Sequence, residues 1–409
     1  MVYSVIGSNY GDEGKGLATD YLASRSGKVL VVRHNGGAQA GHTVEIGEKR
    51  FVFHELGSGS FRGTCTYWAD SFFPDMYKLE EEVQSFCSLS GMIPDIYASG
   101  LSCMTTIDDI LINMLLESGR GEQCHGSCGM GINEADLRKN AGFGITLDQL
   151  KVYSVDALFQ ELKRIRKEYS LCRLHEMMLD FPVQNEYFEL LNDEAVLYNF
   201  AEAVIHNFRY ITVVDDTKEL FADYDTIIFE GAQGLRLDSE YEKNWPHVTA
   251  SRTGLTNVLR ILDAVNLRLD EVIYVTRSYV TKHGAGPLAY ENSDLLGEQK
   301  IMDETNVHNR WQGSLRYSRW KDVDDFLEAI REDSRKCVYP VKRSLLITHL
   351  NETKNQMLFQ SGDVDIMTLI EHEMIQCEFE HIYLSGTRFA DDIRHDQLIR
   401  KVNTLGTNC

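Results

Sequence analysis

The N-terminal segment constrains the fold more than any other part of the chain. Residues Val2 to Ile6 run into the glycine-rich stretch GSNYGDEGKG, Gly7 to Gly16, and then into a helix-like stretch, Leu17 to Ser24. Glycines let a backbone approach phosphate groups, and a helix start offers free N–H groups and a positive dipole end. A strand, a phosphate-binding loop and a helix are therefore predicted. The loop is not a Walker A motif, because Gly14-Lys15 lacks the required upstream glycine and no Ser or Thr follows.

Short β-branched runs with glycine-rich or polar ends recur along the chain, as in buried parallel strands, and helical stretches lie between them. This alternation predicts an α/β fold with a large, mainly parallel central sheet, covering helices and helical insertions. No repeat or proline-rich linker interrupts the pattern, so one catalytic domain over residues 1–409 is expected. The predicted strands are Val2 to Ile6, Val29 to Val32, Thr226 to Phe229, Val272 to Val275 and Leu345 to Thr348; the predicted helices are Lys151 to Lys167 and Glu194 to Asn207; the expected helical insertions are Glu80 to Gln123 and Tyr169 to Val213.

Composition narrows the classes of partner. The formal net charge of -21 argues against nucleic acid as a partner, because binding a phosphate backbone needs a basic surface. Nine scattered cysteines, with no signal peptide and no long apolar run, indicate a reduced cytoplasmic setting and no membrane association. Composition therefore favours a reduced cytoplasmic setting and leaves room for a small anionic ligand bound by local basic residues.

Two glycine-rich loops carry candidate catalytic side chains. Asp12 and Glu13 lie inside the predicted anion-binding loop, where carboxylates are unfavourable unless a proton or metal ion is handled there. The second predicted strand leads into VVRHNGGAQAGHTV, Val31 to Val44. In this stretch His42 follows small residues that leave the backbone open, so its ring could meet a developing charge.

The two motifs GDEGKG and NGGxxAGHT together resemble signatures of the adenylosuccinate synthetase family. Further blocks occur in the same order: FEGAQG at Phe229 to Gly234, a P-x-V-T-S-like segment at Pro246 to Ser251, and GAGP at Gly284 to Pro287. The resemblance extends over nearly the whole chain. It implies an adenylosuccinate synthetase-like fold, related to P-loop folds without a Walker A motif, and a C–N bond-forming ligase reaction.

The resemblance also implies roles for individual residues. Asp12 would take the proton from purine N1 and ligate Mg²⁺ together with the Gly41 carbonyl, and His42 would stabilise the phosphate-bearing oxygen. The expected nucleotide- and phosphate-binding residues are Gly11, Glu13, Gly14, Lys15, Gly16, Asn351, Ser385 and Gly386; those for the substrate monophosphate are Gln39, Ser127, Cys128, Arg138, Gln233, Thr249 and Ser314; those for aspartate are Gln312, Gly313 and Arg316.

Two departures from the family pattern bear on substrate choice. The amino-acid loop T-T-G-R-x-R-R aligns best with WQGSLRY, Trp311 to Tyr317, where Ser314 replaces the arginine that touches the ribose 2′-hydroxyl and aspartate. A 2′-deoxy substrate then becomes plausible. The guanine-binding T-K-L-D segment aligns with Thr348 to Asn351, THLN, and the carboxamide of Asn351 can both donate and accept, which suits adenine. ATP is the expected phosphoryl donor.

A third departure affects the monophosphate loop. CHGSCGMGIN, Cys124 to Asn133, stands where the family has T-T-G-R-G-I-G-P, with Ser127 and Cys128 in place of two threonines. The family arginine that crosses from a partner subunit has no clear equivalent, and Arg138 is only a candidate, so the implied homodimer is weakened. Cys124, His125 and Cys128 suggest a structural role more than a metal site, because no second ligand pair stands nearby.

Together these features resemble the phage branch of the family. The expected reaction is ATP-dependent joining of L-aspartate to C6 of dGMP, with Mg²⁺, giving N6-succino-2-amino-2′-deoxyadenylate for diaminopurine DNA. In a phage-encoded enzyme the setting is the host cytoplasm. The alternative is a ligase acting on IMP with GTP, and a nucleotide-binding regulator without catalysis ranks third. The preference for a 2-amino purine does not follow from motif spacing.

Overall fold

The computed structural model describes residues 1–121, 125–177, 185–292, 294–295 and 313–396. The strands are β1 Val2–Gly7, β2 Val29–Arg33, β3 His42–Ile46, β4 Lys49–Phe53, β5 Cys65–Trp68, β6 Ile96–Ser99, β7 Ile211–Val214, β8 Thr226–Gly234, β9 Glu271–Arg277, β10 Val280–Lys282, β11 Arg316–Ser318, β12 Lys342–Thr348, β13 Gln356–Phe359, β14 Gly362–Asp365, β15 His381–Leu384 and β16 Arg394–Asp396.

The helices lie mainly between these strands. They are α1 Lys15–Ala23, α2 Leu79–Ser90, α3 Ile107–Arg120, α4 Ile132–Arg138, α5 Leu147–Leu150, α6 Val155–Ile165, α7 Leu171–Glu176, α8 Glu186–Asn192, α9 Glu194–Asn207, α10 Thr217–Ala222, α11 Leu255–Ala264, α12 Val323–Ser334, α13 Ile366–Ile370 and α14 Glu373–Glu378. In the described part of the chain, no helix combines the length and apolarity needed to cross a bilayer.

One large sheet organises the molecule. Its strand order is β16-β15-β12-β9-β1-β8-β2-β5-β6-β7, and every described pairing is parallel except that of β15 with β16. The five strands predicted from the sequence are the five central ones, β12, β9, β1, β8 and β2. Central parallel strands are covered on both faces, which explains their continuous apolar runs. The predicted α/β fold with a mainly parallel sheet is confirmed.

Helices cover both faces of the sheet. Successive side chains of a strand point to opposite faces, so Val5 packs in the cluster that contains Leu17 of α1, while Ile6 packs with Leu255 of α11 and Phe326 of α12. The predicted first helix is therefore confirmed as α1, which returns along one face directly after the first loop. Because α1 packs on one face of the sheet, the loop between β1 and α1 is held at the carboxyl end of β1.

The two expected helical insertions were only partly right. Glu80 to Gln123 contains β6, and Tyr169 to Val213 contains most of β7, so both segments supply outer strands of the main sheet as well as helices. Each strand has only four residues, too few to show a clear period in sequence. Residues 122–124 and 178–184 of these segments lie outside the described part of the chain.

The two helices predicted from the sequence agree better with the structure than the two insertions do. Glu194 to Asn207 is confirmed as α9, and the helix expected from Lys151 begins only at Val155 because the Ser154 hydroxyl caps it by accepting from the Ala157 N–H. It continues into a π-helical turn after residue 165. Since the central strands are parallel, the loops that follow them all open at one edge of the sheet, where ligands bind in such folds.

A buried carboxylate joins three elements of this core. Asp333 of α12 is 2% exposed and accepts hydrogen bonds from the Leu255 N–H at 2.9 Å, the Tyr274 hydroxyl at 3.0 Å and Lys336 Nζ at 3.1 Å. We expect Asp333→Ala to lower the free energy of unfolding by about 1 to 3 kcal/mol, because buried donors lose their acceptor. Asp324→Ala, an exposed change in the same helix, is the control and should shift the urea midpoint little. Equal midpoints for both variants would contradict this role.

Candidate active site

The loop after β1 is organised by its own glutamate. The Glu13 side chain accepts hydrogen bonds from the backbone N–H groups of Asn9 at 3.1 Å and Gly11 at 2.8 Å, and pairs with Lys15 at 2.9 Å. Glu13 and Lys15 are both buried. The side chain of Glu13 is therefore engaged inside the loop, and its expected phosphate-binding role stays a prediction that only its backbone could fulfil. Helix α1 follows from Gly14, at φ 100°, without a side-chain cap, so its first N–H groups suit an anion.

Asp12 is held in an uncommon backbone conformation. Its φ is 60°, and Arg277 Nε donates a 2.5 Å hydrogen bond to its carbonyl oxygen. The carboxylate lies 3.0 Å from His283 Nε2, and its side chain is 41% exposed. Burial opposes ionisation, but His283, Arg277 and Lys15 outweigh it and hold the pKa of Asp12 well below its ordinary value. Asp12 is therefore an ionised carboxylate that is partly exposed to solvent.

His42 lies beside a buried ion pair. Its Nδ1 is 2.8 Å from Glu230 Oε1 in β8, and Glu230 also pairs with Arg33 of β2 at 3.2 Å and accepts from the Ser58 N–H at 3.1 Å. Although burial disfavours the charge, His42 and Arg33 lower the pKa of Glu230 to about 2. Burial lowers the pKa of His42 despite Glu230. The geometry makes Nδ1 a donor to Glu230 and leaves Nε2 for another partner.

The two predicted catalytic side chains lie around one loop. A methyl group placed on Gly16 would be 3.0 Å from His42 Cβ, so helix α1 begins directly against the histidine. The Lys15 ammonium acts electrostatically on both Asp12 and His42. Gly41, whose carbonyl is the second expected metal ligand, is exposed and immediately precedes His42. A base, a histidine and a phosphate loop thus share one site.

Two glutamines expected at the monophosphate carry unsatisfied amides. The side-chain nitrogen and oxygen of Gln39 and the side-chain oxygen of Gln233 are buried without a hydrogen-bond partner in the described part of the chain. Gln233 has φ 62°, and Gly11 packs against its backbone. Buried polar groups are normally paired, so these amides suit a polar ligand.

The loops around these glutamines are tied together by hydrogen bonds. Asn35 exchanges two side-chain hydrogen bonds with the backbone of Ala232, and the Gly36 N–H donates to Ser251 Oγ. Thr249 lies in the third loop, where its Oγ1 accepts from the Ser251 N–H. Hydrogen bonds therefore connect the NGGxxAGHT loop, the FEGAQG block and the segment Pro246 to Ser251.

The expected nucleotide-base residues also meet. The Leu350 N–H donates to the Ser385 carbonyl at 3.2 Å. A methyl group on Gly386 would lie 3.6 Å from the backbone nitrogen of Asn351. The loop after β12 touches the phosphate loop, because Thr348 Oγ1 donates to the Glu13 carbonyl at 2.7 Å. Asn351 is exposed at this edge.

The segment expected to replace the family's threonine loop is anchored by Glu117. This buried carboxylate accepts from the N–H groups of Gly126 at 2.8 Å and Ser127 at 3.3 Å. Ser127 Oγ donates to Asn113 at 2.9 Å, and burial raises the pKa of the Cys128 thiol. Cys128 is therefore a neutral thiol. Cys124 lies outside the described residues, and no metal-ligating cluster occurs within them.

Arg138 does not have its expected role. Its guanidinium is fully buried, pairs with Asp109 at 2.9 Å, and donates to the carbonyls of Met104 and Phe143. A side chain enclosed in this way cannot reach a substrate phosphate or another subunit. The interpretation of Arg138 as the family's partner-crossing arginine is wrong.

The amino-acid loop is only partly visible. Gln312 lies outside the described residues, Gly313 has φ 68°, and Ser314 is exposed. Arg316 donates to both carboxylate oxygens of Glu291 and to the carbonyls of Gly284 and Gly286. Four of its five N–H donors are thus used inside the protein. The expected role of Arg316 as a direct aspartate ligand does not fit this geometry.

Several site residues were missed in the sequence. Glu230 stands inside the recognised FEGAQG block, and a charged residue in a buried strand was the signal that could have marked it. Lys282 and His283 directly precede the GAGP block, but they lie outside every motif recognised in the sequence. Arg33 and Arg277 end their strands, and only the pairing of β2 and β9 with their neighbours brings them to the site.

Comparisons with known proteins show the family to which the chain belongs. The family model described as adenylosuccinate synthetase matches residues 4–322. The enzyme of that name from Thermoplasma volcanium is 29% identical over 80% of this chain and 72% of its own, and that from Clostridium botulinum is 29% identical over 78% and 72%. The fold also matches the fully ligated Plasmodium falciparum enzyme, with a TM-score of 0.70, 20% identity, and coverage of 96% of this chain and 99% of that one.

A second solved structure shares the fold. Cyanophage S-2L succinoaminodeoxyadenylate synthetase (PurZ), bound to dGMP and to dATP as an energy donor, matches with a TM-score of 0.63 and 14% identity, covering 98% of this chain and 97% of that one. The family match defines a C–N bond-forming ligase. The chain belongs to the adenylosuccinate synthetase family.

The contact between His42 and Glu230 generates a prediction. We expect Glu230→Gln to lower kcat roughly 10- to 100-fold, because a donating NH2 group replaces one of the two oxygens that accept from His42 and from Arg33 and so misorients the ring. Steady-state kinetics, with binding of the substrate monophosphate as a parallel readout, measures the effect. Glu48→Gln, an exposed change in the β3–β4 turn, should leave kcat unchanged. A parental kcat in Glu230→Gln would show that Glu230 has no positioning role.

Proposed function

We propose that the protein joins L-aspartate to C6 of dGMP at the expense of ATP, giving N6-succino-2-amino-2′-deoxyadenylate, ADP and phosphate. The observation that carries the proposal is the meeting of Asp12, His42 and the phosphate loop at one sheet edge, beside a donor-base segment that ends in Asn351. Family membership supplies the ligase reaction, and the departures at positions 314 and 351 select the substrates. The reaction has two steps.

In the first step the purine is activated. The ionised Asp12 accepts the N1 proton of the base, and electron density moves to O6. O6 then bonds to the γ-phosphorus of the donor as the bond to the ADP oxygen breaks. Arg277 holds the Asp12 backbone at φ 60° and so aims the carboxylate into the cleft. In the second step the aspartate amine attacks C6 and phosphate leaves with the former O6.

His42 stabilises charge on the transferring oxygen. Because Nδ1–H is directed at Glu230, donation from Nε2 requires the protonated ring. Burial lowers the pKa of His42 in the ligand-free site, and an arriving phosphoryl group would favour the imidazolium. The ionised Glu230 balances the positive charge. His42 therefore becomes an effective donor when the anionic donor nucleotide is bound.

The site offers suitable ligands for Mg²⁺. The half-exposed carboxylate of Asp12 and the exposed backbone of Gly41 are oxygen donors of the kind this ion prefers. When bound, Mg²⁺ would draw charge from the phosphoryl oxygens. Lys15 and the N-terminus of α1 would hold the phosphates from the other side.

The proposed donor is ATP because of Asn351. A carboxylate accepts from guanine N1–H and the 2-amino group, whereas a carboxamide can accept from the adenine amine and donate to a ring nitrogen. Asn351 lies at the exposed loop that touches the phosphate loop, with Ser385 and Gly386 beside it. This position suits contact with a base whose phosphates occupy the loop.

The proposed substrate sugar is 2′-deoxyribose because of Ser314. An arginine facing a sugar without its 2′-hydroxyl would be left with an unpaired donor, whereas a short serine leaves room for another polar group. The fold admits such a substrate, since the cyanophage enzyme with the same fold binds dGMP. We also propose a homodimer, and the only support for it is the resemblance to the family.

The second candidate is adenylosuccinate synthetase itself, acting on IMP with GTP. The names of the relatives at 29% identity favour it. The two candidates differ in base, sugar and donor, so substrate competition separates them.

We predict that dGMP with ATP gives the highest rate among dGMP, GMP and IMP, each paired with ATP or GTP. The physical reason is that Ser314 replaces a family arginine that would donate a hydrogen bond to the 2′-hydroxyl. Asn351 replaces a family aspartate and adds a hydrogen-bond donor that suits adenine. The mass of the succinyl product, formed from nucleotides mixed at equal concentration, identifies the substrate directly. Predominant adenylosuccinate formed with GTP would establish the second candidate instead.

We further predict that Asn351→Asp moves donor preference toward GTP. Leaving a buried polar edge of the base unpaired corresponds to roughly a 10- to 100-fold change in the kcat/KM ratio of ATP to GTP. The matched control is Asn355→Asp, which makes the same charge change on the same exposed turn and should leave the ratio unaltered. An unaltered ratio in Asn351→Asp would refute the contact with the base.

A further inference from the structure

Lys282 is a buried cation that lacks a carboxylate partner among the described residues. It ends β10 and is only 2% exposed, and its Nζ donates to the Ala285 carbonyl oxygen and lies 5.7 Å from the centre of the Tyr10 ring. No carboxylate pairs with it anywhere in the part of the chain that the structure describes. A buried charge is normally paired, because burial without a partner costs much of its hydration energy.

The groups around Lys282 increase this imbalance. Arg316 lies directly opposite in the β10–β11 pairing, and Glu291, which acts on Lys282 electrostatically, is bound through both oxygens to Arg316. On another side the His247 ring faces both Lys282 and His125, with the two imidazole centres 5.6 Å apart. Burial and Arg316 lower the pKa of Lys282 to about 8. Because Arg316 and Glu291 neutralise each other, the charge of Lys282 is left without a carboxylate partner among the described residues.

Lys282 is also close to the reacting centre. The next residue, His283, donates through Nε2 to the Asp12 carboxylate at 3.0 Å, and Tyr10 belongs to the same loop as Asp12. In aspartate both carboxylates are only a few bonds from the amine that must reach C6. The 5′-phosphate of a purine nucleotide lies at the far end of the molecule from C6.

We propose that Lys282 binds a carboxylate of the amino-acid substrate, while Arg316 and Glu291 position the Gly284–Gly286 turn around it. This inference rests on the proposed ligase function and names the anchor for its second substrate. It assigns to Lys282 the contact that the sequence pattern assigns to Arg316, whose donors are already occupied. The complementary charge comes from the ligand.

The test compares Lys282→Met with the unsubstituted enzyme. We expect the KM for aspartate to rise roughly 10- to 100-fold, as for loss of a charge-assisted hydrogen bond, with the KM values of both nucleotides and kcat unchanged. The ligand-free variant should unfold at the same or a higher temperature, because it no longer buries an unpaired charge. Lys282→Arg, which keeps the charge, should restore much of the aspartate affinity.

A matched control and the contrary outcomes make the test decisive. Lys342→Met removes an exposed lysine at the start of β12 and should alter none of these quantities. An unchanged KM for aspartate in Lys282→Met, or an increase confined to the KM of the monophosphate, would overturn the inference. So would a lower unfolding temperature with equal losses for all substrates. If the unsubstituted enzyme forms no succinyl product, the proposed function itself fails; the other outcomes leave that function standing.

Discussion

The carboxylate of Glu230 holds the centre of the site together. It lies on the central strand β8, opposite Arg33 in the neighbouring strand β2, and it binds both Arg33 and His42. Removing one member of such a buried group leaves the others with an uncompensated charge, which is typically strongly destabilising. The orientation of His42, and the approach of its strand to α1, therefore depend on an ion pair fixed by the register of the main sheet.

A second constraint acts on the phosphate loop. Glu13 faces inward and pairs with Lys15, which ties the loop to the start of α1, while the left-handed backbone of Asp12 turns the Asp12 carboxylate outward. Strained backbone of this kind persists where surrounding contacts impose it. Here the contact is Arg277 at the end of β9, and it links the geometry of the proposed base to the next strand of the sheet.

The sequence predicted the centre of the fold well and its periphery poorly. The five central strands have long apolar runs because both faces are covered, and the motifs at their ends mark the catalytic loops. The four-residue strands β6 and β7 lack that signal. In the site, Asp12 and His42 were recognisable from their motifs, whereas the roles of Glu230, Arg277 and His283 depend on contacts across the sheet edge. Arg138 shows the converse, since its position shortly after the Cys124 to Asn133 block made it a candidate for a ligand contact, while folding pairs it with Asp109.

The central claim is that O6 of the purine is phosphorylated before the aspartate amine displaces it. The most direct measurement uses dGMP with a heavy-oxygen label at the 6-oxo position, ATP and aspartate, followed by mass analysis of the released phosphate. The account predicts that the label appears in inorganic phosphate in proportion to the succinyl product. Succinyl product accompanied by unlabelled phosphate would contradict it.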